Sequence, residues 1–178
     1  MRNISLSWVV SIGLWLGACT GVGFEQPQPA GFPDLKEIPM NLRGTYADDD
    51  NDSLVVGNDQ MVYYGMNQEI QFSIINQNLA FRPWDGYWVI NFRENKFWDV
   101  FLCKYYGDSL EAMYIPGRQR QVIDADFDWM KQHAQGHTID PDESDGVYEF
   151  VVNPDSAAFR QMVQKGLFKA NLSLKKKR

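Results

Sequence analysis

Short apolar runs alternate with turn-forming residues along most of the chain from Asn41 onward. An alternation with a period of two is typical of strands whose two faces differ. The clearest pair of predicted strands covers residues 87–93 and 96–106, and Trp88, Ile90 and Phe92 share one face of the first. We therefore predict a mainly β fold, an antiparallel meander that forms a small barrel or sandwich. This single β-rich domain is expected to span residues 41–178.

Two segments have helical rather than strand-like spacing. Apolar residues 122, 123, 127, 130 and 134 predict a first short helix over about residues 122–135. The second helix is predicted over about residues 154–165, with Asn153 as the cap, Pro154 in the first turn and Gly166 after the end. The alternating segment 168–174 then predicts a last strand that follows this helix.

An apolar stretch lies at the N-terminus, between residues 4 and 16, after the single positive charge of Arg2. A positive start, a short apolar core and small residues at the exit are typical of a secretory signal peptide. The stretch is short for a transmembrane helix, which needs about 20 apolar residues. We predict a signal peptide over residues 1–18.

The sequence Leu16-Gly17-Ala18-Cys19 resembles the lipobox of bacterial lipoproteins. The resemblance implies that Cys19 receives a diacylglyceryl group on its thiol, that cleavage occurs between Ala18 and Cys19, and that the new amine is acylated, as with palmitate. Two or three acyl chains exceed the single chain that gives only reversible membrane binding. Thr20 follows the cysteine where lipoproteins of the inner membrane often have Asp. The resemblance therefore favours the outer membrane, on its periplasmic side.

Residues 19–40 are rich in Gly and Pro and have no sustained period. We predict that they contain the lipidated Cys19 followed by a flexible tether. About 20 fully extended residues could reach roughly 65 Å. With Cys19 acylated, Cys103 has no partner for an intrachain disulfide. Its apolar neighbours predict that it is buried.

The body of the chain has two weaker resemblances. Gly44-Thr45-Tyr46 at the start of a meander is similar to lipocalin-like barrels, although those have Trp where Tyr46 stands. The body also resembles small bacterial envelope lipoproteins with no established activity, through residues that open the meander and the late helix: Pro39, Leu42, Gly44, Tyr46, Asn153 and Pro154. Neither resemblance implies a catalytic residue or a cofactor.

The formal net charge of −6 argues against nucleic acid as a partner, since that binding needs clustered positive charge. The chain also has no nucleophile motif, phosphate-binding loop or dinucleotide fingerprint. His133 and His137 are spaced four residues apart and are candidate metal ligands. However, Gly136 between them favours a helix end and two exposed imidazoles.

The aromatic residues of the central strands have two interpretations. They fill the core of the sheet, or they line a site for a hydrophobic ligand. The candidate pocket residues are Trp88, Phe92, Asp99 and Phe101, and Asp99 is singled out because it interrupts an apolar strand face. An ion pair of Asp99 with Arg82 or Arg93 is the alternative.

The sequence therefore predicts a lipid-anchored, non-enzymatic cell-envelope protein without a cofactor. Its partners would be the membrane, through Cys19, and a small hydrophobic ligand or an envelope protein. One alternative is a structural or assembly lipoprotein that acts only through protein contacts. A remote alternative is a metal-dependent hydrolase that uses the histidine pair.

Overall fold

A curled sheet of twelve strands dominates the part of the chain that the structure, a computed structural model, describes. The described residues are 21–49, 52–65, 68–94, 96–117, 124–140 and 148–177. The predicted signal peptide and Cys19 lie outside them. No helix among the described residues is both long enough and apolar enough to cross a membrane.

The secondary-structure elements follow the chain in a simple order. The strands are β1 Val22–Phe24, β2 Gly44–Ala47, β3 Ser53–Val56, β4 Gln60–Gly65, β5 Gln68–Ser73, β6 Leu79–Trp84, β7 Tyr87–Glu94, β8 Phe97–Tyr105, β9 Ser109–Tyr114, β10 His137–Thr138, β11 Phe150–Val152 and β12 Ala170–Lys176. The helices are α1 Asp124–His133 and α2 Ser156–Gln164, and Met40–Leu42 forms one 3-10 turn.

Two antiparallel meanders, β2–β5 and β6–β9, form most of the sheet. Strand β12 joins them, because it pairs with β9 along most of its length and with β2 at its end. Strands β5 and β6 do not pair with each other in the described residues, so the sheet curls without closing. The predicted mainly β fold, with two helices and a last strand after the second, is confirmed.

The helices differ from the prediction in their boundaries. Helix α1 ends at His133, and residues 122 and 123 of the predicted helix lie outside the described residues. The cap of α2 is Asp155, whose carboxylate accepts a hydrogen bond from the backbone of Ala158 at 2.8 Å. The prediction of Asn153 as the cap was therefore wrong. Gly166 has the positive φ of 73° that favours glycine after a helix.

Two apolar cores form on opposite faces of the sheet because β8 is apolar on both of its faces. The outer core packs α1 and α2 against one face, through Val100 and Leu102 of β8. The inner core lies on the other face and includes Cys103 of β8 and Tyr46 of β2. The predicted alternation of two apolar faces along this strand is confirmed.

The segment 21–40 is packed into the body instead of forming the flexible tether that its composition predicted. Strand β1 lies parallel to β11 and antiparallel to β8, with Val22 and Phe24 in the outer core. Ile38 is fully buried in the inner core, and its backbone donates to Asn58 at 2.6 Å. The segment therefore contributes side chains to both cores, and the packed body begins near Val22 and not at residue 41.

Buried polar groups hold the middle of this segment against the outer face. The Asn91 amide accepts a hydrogen bond from the backbone N–H of Gln28 at 2.6 Å and donates to its carbonyl at 3.0 Å. Arg82 donates to the carbonyls of Pro27 and Pro29 and to the Asp34 carboxylate, at 2.6 to 2.8 Å. Because these backbone groups are paired inside the protein, the irregular segment can be buried without losing hydrogen bonds.

Two phenylalanines of this segment provide a matched test of its packing. Phe24 is 1% exposed and Phe32 is 39% exposed. Phe24→Ala should lower the free energy of unfolding by about 3–5 kcal/mol, because it empties a site in a packed core. Phe32→Ala should cost less than about 1 kcal/mol. Urea unfolding of both variants measures the difference, and equal midpoints would contradict the packed arrangement.

The buried hydroxyl of Tyr46 should make the folded protein less stable at alkaline pH. Burial, and to a lesser extent the charge of Tyr105, raises the pKa of Tyr46 to about 12, and its hydroxyl donates to the Leu42 carbonyl at 2.7 Å. Since the unfolded tyrosine titrates near 10, the stabilisation is complete below about pH 10 and is lost as the pH rises to about 12.

The variant Tyr46→Phe removes this titration. Its free energy of unfolding should be lower at pH 7, because the hydrogen bond to Leu42 is gone, but it should fall less steeply between pH 10 and pH 12 than that of the wild type. Urea unfolding at stepped pH measures both slopes. Identical slopes would show that Tyr46 does not titrate differently in the folded and unfolded states.

Candidate functional site

The hairpin between β6 and β7 borders an aromatic groove. Asp85 and Gly86 have φ values of 49° and 79°, the left-handed conformation that a two-residue type I′ turn requires at both positions. This turn places Trp84 and Tyr87 opposite each other as the last pair of the ladder.

A first groove of about 480 Å³ runs beside this hairpin. Its lining is mostly aromatic and apolar, with an acidic and a basic side chain at the margin: Phe32, Pro83, Trp84, Asp85, Gly86, Tyr87, Trp88 and Arg160. Small-molecule sites commonly have this composition, in which apolar walls carry a few polar groups.

Arg160 of α2 contacts two other residues that line the first groove. Its guanidinium lies 5.1 Å from the centre of the Trp84 ring, and its Nη1 atom donates to the Asp85 carboxylate at 2.9 Å. Trp84 in turn packs edge-on against Phe159, with ring centres 5.1 Å apart. The tryptophan is therefore held from both sides, and the groove presents a cation beside a rigid aromatic surface.

A second groove of about 330 Å³ shares Tyr87 with the first. The remaining lining residues come from β8, β9, β12 and the turn after β8: Lys104, Tyr106, Glu111, Met113, Asn171, Leu172 and Ser173. Lys104 and Glu111 are register partners, and the Lys104 ammonium lies 4.7 Å from the centre of the Tyr87 ring. This groove combines an apolar floor with amide, hydroxyl and charged groups.

We call the two grooves together the Tyr87 surface, since they meet at that residue. Three large apolar side chains on it are well exposed: Phe32 at 39%, Tyr106 at 57% and Leu172 at 37%. Contiguous exposed apolar side chains rimmed by polar groups mark binding sites for ligands or proteins. The arrangement is suited to binding by contact and charge.

Of the four predicted pocket residues, Trp88 lines one of the two grooves described above, and the other three line neither. Trp88 lines the first groove, and its ring also lies 5.6 Å from that of Phe81. Phe92 and Phe101 belong instead to a row of rings packed against the inner core, with Phe72 and Tyr114 at its two ends. Neither lines the two grooves of the Tyr87 surface.

Asp99 lies beside Phe92 in the strand register, on the inner side of the sheet. Its carboxylate accepts a hydrogen bond from the Tyr148 hydroxyl at 2.8 Å. Arg82 bonds to Asp34, and the Arg93 guanidinium lies 5.8 Å from the centre of the Trp98 ring. Asp99 is thus bonded to a tyrosine that sequence reasoning did not connect with it.

The two histidines belong to different elements. His133 is the last residue of α1, where its ring stacks on Trp129 at 4.6 Å and its Nδ1 atom lies 2.9 Å from the Trp129 carbonyl oxygen. His137 lies in β10, opposite Val151 of β11. In the described part of the chain, no group of three or more His, Cys, Asp or Glu is arranged to hold a metal ion.

Cys103 is buried, as its neighbours predicted. Burial raises the pKa of its thiol far above the ordinary value, which keeps the thiol protonated at neutral pH. Since the thiolate is the reactive form, Cys103 is a poor nucleophile.

Sequence reasoning missed most residues of the Tyr87 surface, and these include Phe32, Arg160 and Leu172. Phe32 fell in the predicted tether, and Arg160 and Leu172 lie on elements whose neighbours are distant in the chain. The Asp85-Gly86 turn was the available signal, because it fixes Trp84 and Tyr87 at one end of a hairpin.

Comparison of the chain with protein-family models, with curated proteins and with solved structures finds no match in any of the three.

Proposed function

We propose that the protein is a lipid-anchored cell-envelope protein whose folded body binds a small ligand or a protein partner without catalysing a reaction. The observation that carries the anchor is the sequence Leu16-Gly17-Ala18-Cys19 directly after an apolar stretch. Acyl chains on Cys19 would then attach the body to the membrane, at about 0.8 kcal/mol for each buried methylene. Thr20 favours the outer membrane, with the body on the periplasmic side.

The Tyr87 surface is the proposed binding site. Aromatic and arginine side chains dominate the binding energy of many interfaces, and this surface has Phe32, Tyr87, Trp88, Tyr106 and Arg160. The inner core is occupied by packed side chains such as Tyr46, Phe81 and Ile90. These features support recognition at open grooves, by a small hydrophobic molecule or by a segment of an envelope protein.

The second candidate is a structural or assembly lipoprotein that acts only through protein contacts. The exposure of Phe32, Tyr106 and Leu172 on one surface favours it, since such patches are frequent at protein interfaces. A bound small molecule in the native protein would favour the first candidate, and a stoichiometric protein complex would favour the second.

Mass spectrometry of the protein extracted from its native membrane tests the anchor. The N-terminal peptide should begin at Cys19 and carry a diacylglyceryl group and an amide-linked acyl chain. Cys19→Ala should give a protein that carries no acyl chains. A mature protein without acyl chains would contradict the anchor. A mature protein that begins at a residue other than Cys19 would also contradict it.

Two exposed tyrosines test the binding surface. Tyr106 is 57% exposed on the Tyr87 surface, whereas Tyr64 is 41% exposed on β4. Replacing either with Ser should change the free energy of unfolding by only about 0.5 kcal/mol. Tyr106→Ser should lower the affinity for the native ligand or partner about tenfold, as loss of a binding hot spot does.

The matched variant Tyr64→Ser should bind as the wild type does. Native mass spectrometry of the extracted proteins measures the occupancy of the ligand or partner in each. Equal occupancy in the two variants and the wild type would place the binding site elsewhere.

A further inference from the structure

The packed body begins very close to the proposed site of acylation. Val22 is the first residue of β1 and is buried in the outer core. Cys19 precedes it by three residues. We propose that acylated Cys19 holds the folded body directly against the membrane surface, on the side where β1 begins. This inference rests on the proposed lipid anchor and adds to it the part of the body that faces the lipid.

The length of the connecting chain sets the distance. Three residues span at most about 10–11 Å when fully extended. A flexible segment of about 20 residues could have reached roughly 65 Å. The start of β1 must therefore stay within about 10–11 Å of the acylated residue at the membrane surface.

Gly21 is already fixed in the body, which shortens the free segment further. Its carbonyl accepts a hydrogen bond from the backbone of Glu149 at 3.3 Å. A Cβ atom added to Gly21 would lie 2.2 Å from the Cα atom of Gly117, so the two backbones are in close contact. Only Thr20 then separates the acylated residue from the packed chain.

Strand β1 is held on both sides and cannot easily detach to lengthen the connection. Its three residues are all in register with β11, and Phe24 pairs with Trp98 of β8 on the other side. The backbone of Glu25 continues the ladder by donating to Val152 at 3.0 Å. Detachment would expose Val22 and Phe24 and break these bonds together.

The strand register identifies a reporter position near the membrane. Val22 pairs with Phe150, and Phe150 pairs with Thr138 of β10. Two strand spacings therefore separate Val22 from the exposed Thr138, which is about 10 Å. Asp108 lies in the turn after β8, several residues beyond the part of that strand that contacts β1. It serves as the more distant position.

Quenching of a thiol-linked fluorophore by nitroxide-labelled lipid headgroups tests the proposal. The acylated variant Thr138→Cys is labelled in phosphatidylethanolamine and phosphatidylglycerol vesicles. Selective labelling is feasible because Cys103 is buried and Cys19 would be acylated.

A second protein has the same label and a 20-residue Gly/Ser insertion between Thr20 and Gly21. The native spacing should give at least twofold stronger quenching than the insertion, and Asp108→Cys should show a smaller difference.

Flotation with the vesicles distinguishes a failure of the lipid anchor from a failure of the membrane apposition alone. A protein without acyl chains would not float, and this result would overturn the anchor and the membrane apposition together. A floating protein whose Thr138 label is quenched equally with and without the insertion would leave the anchor intact and overturn the apposition alone.

Discussion

The packing of residues 21–40 into both cores is the constraint on which the rest of the structure depends. Strand β1 bridges β8 and β11, so it connects the meanders to the C-terminal part of the chain. Ile38 then enters the inner core, after Arg82 and Asn91 have bonded the intervening backbone. The same segment brings Phe32 to the first groove. Without this segment, both cores and the Tyr87 surface would lose side chains that pack in them.

This packing changes what a lipid anchor at Cys19 would do. A long tether would let the body move through a wide volume beside the membrane, whereas a body that begins at Val22 has almost no free chain between it and Cys19. The folded body would consequently remain close to the bilayer, with the side where β1 begins nearest to the lipid.

The strands with strong local signals could be predicted from the sequence, and the elements with distant partners could not. Alternation at Trp88, Ile90 and Phe92 is a local feature, and it predicted the strand pair that the structure shows as β7 and β8. Strand β1 has only three residues, of which the middle one is Gly23, and it pairs with residues about 128 positions away, so no local pattern reveals it. The Gly and Pro content of residues 19–40 predicted a flexible segment. Composition does not show that a buried side chain such as Arg82 bonds to the backbone carbonyls of this segment. For the site, Trp88 was found through its strand, but Phe32 and Arg160 required the tertiary structure.

Amide hydrogen exchange of the acylated protein in vesicles tests the central claim, that the chain is part of the folded body from Val22 onward. The account predicts that the amides of β1 exchange as slowly as those of its neighbour β8 and become exposed only with global unfolding. Exchange of the β1 amides at the rate of an unprotected segment, with β8 still protected, would contradict it.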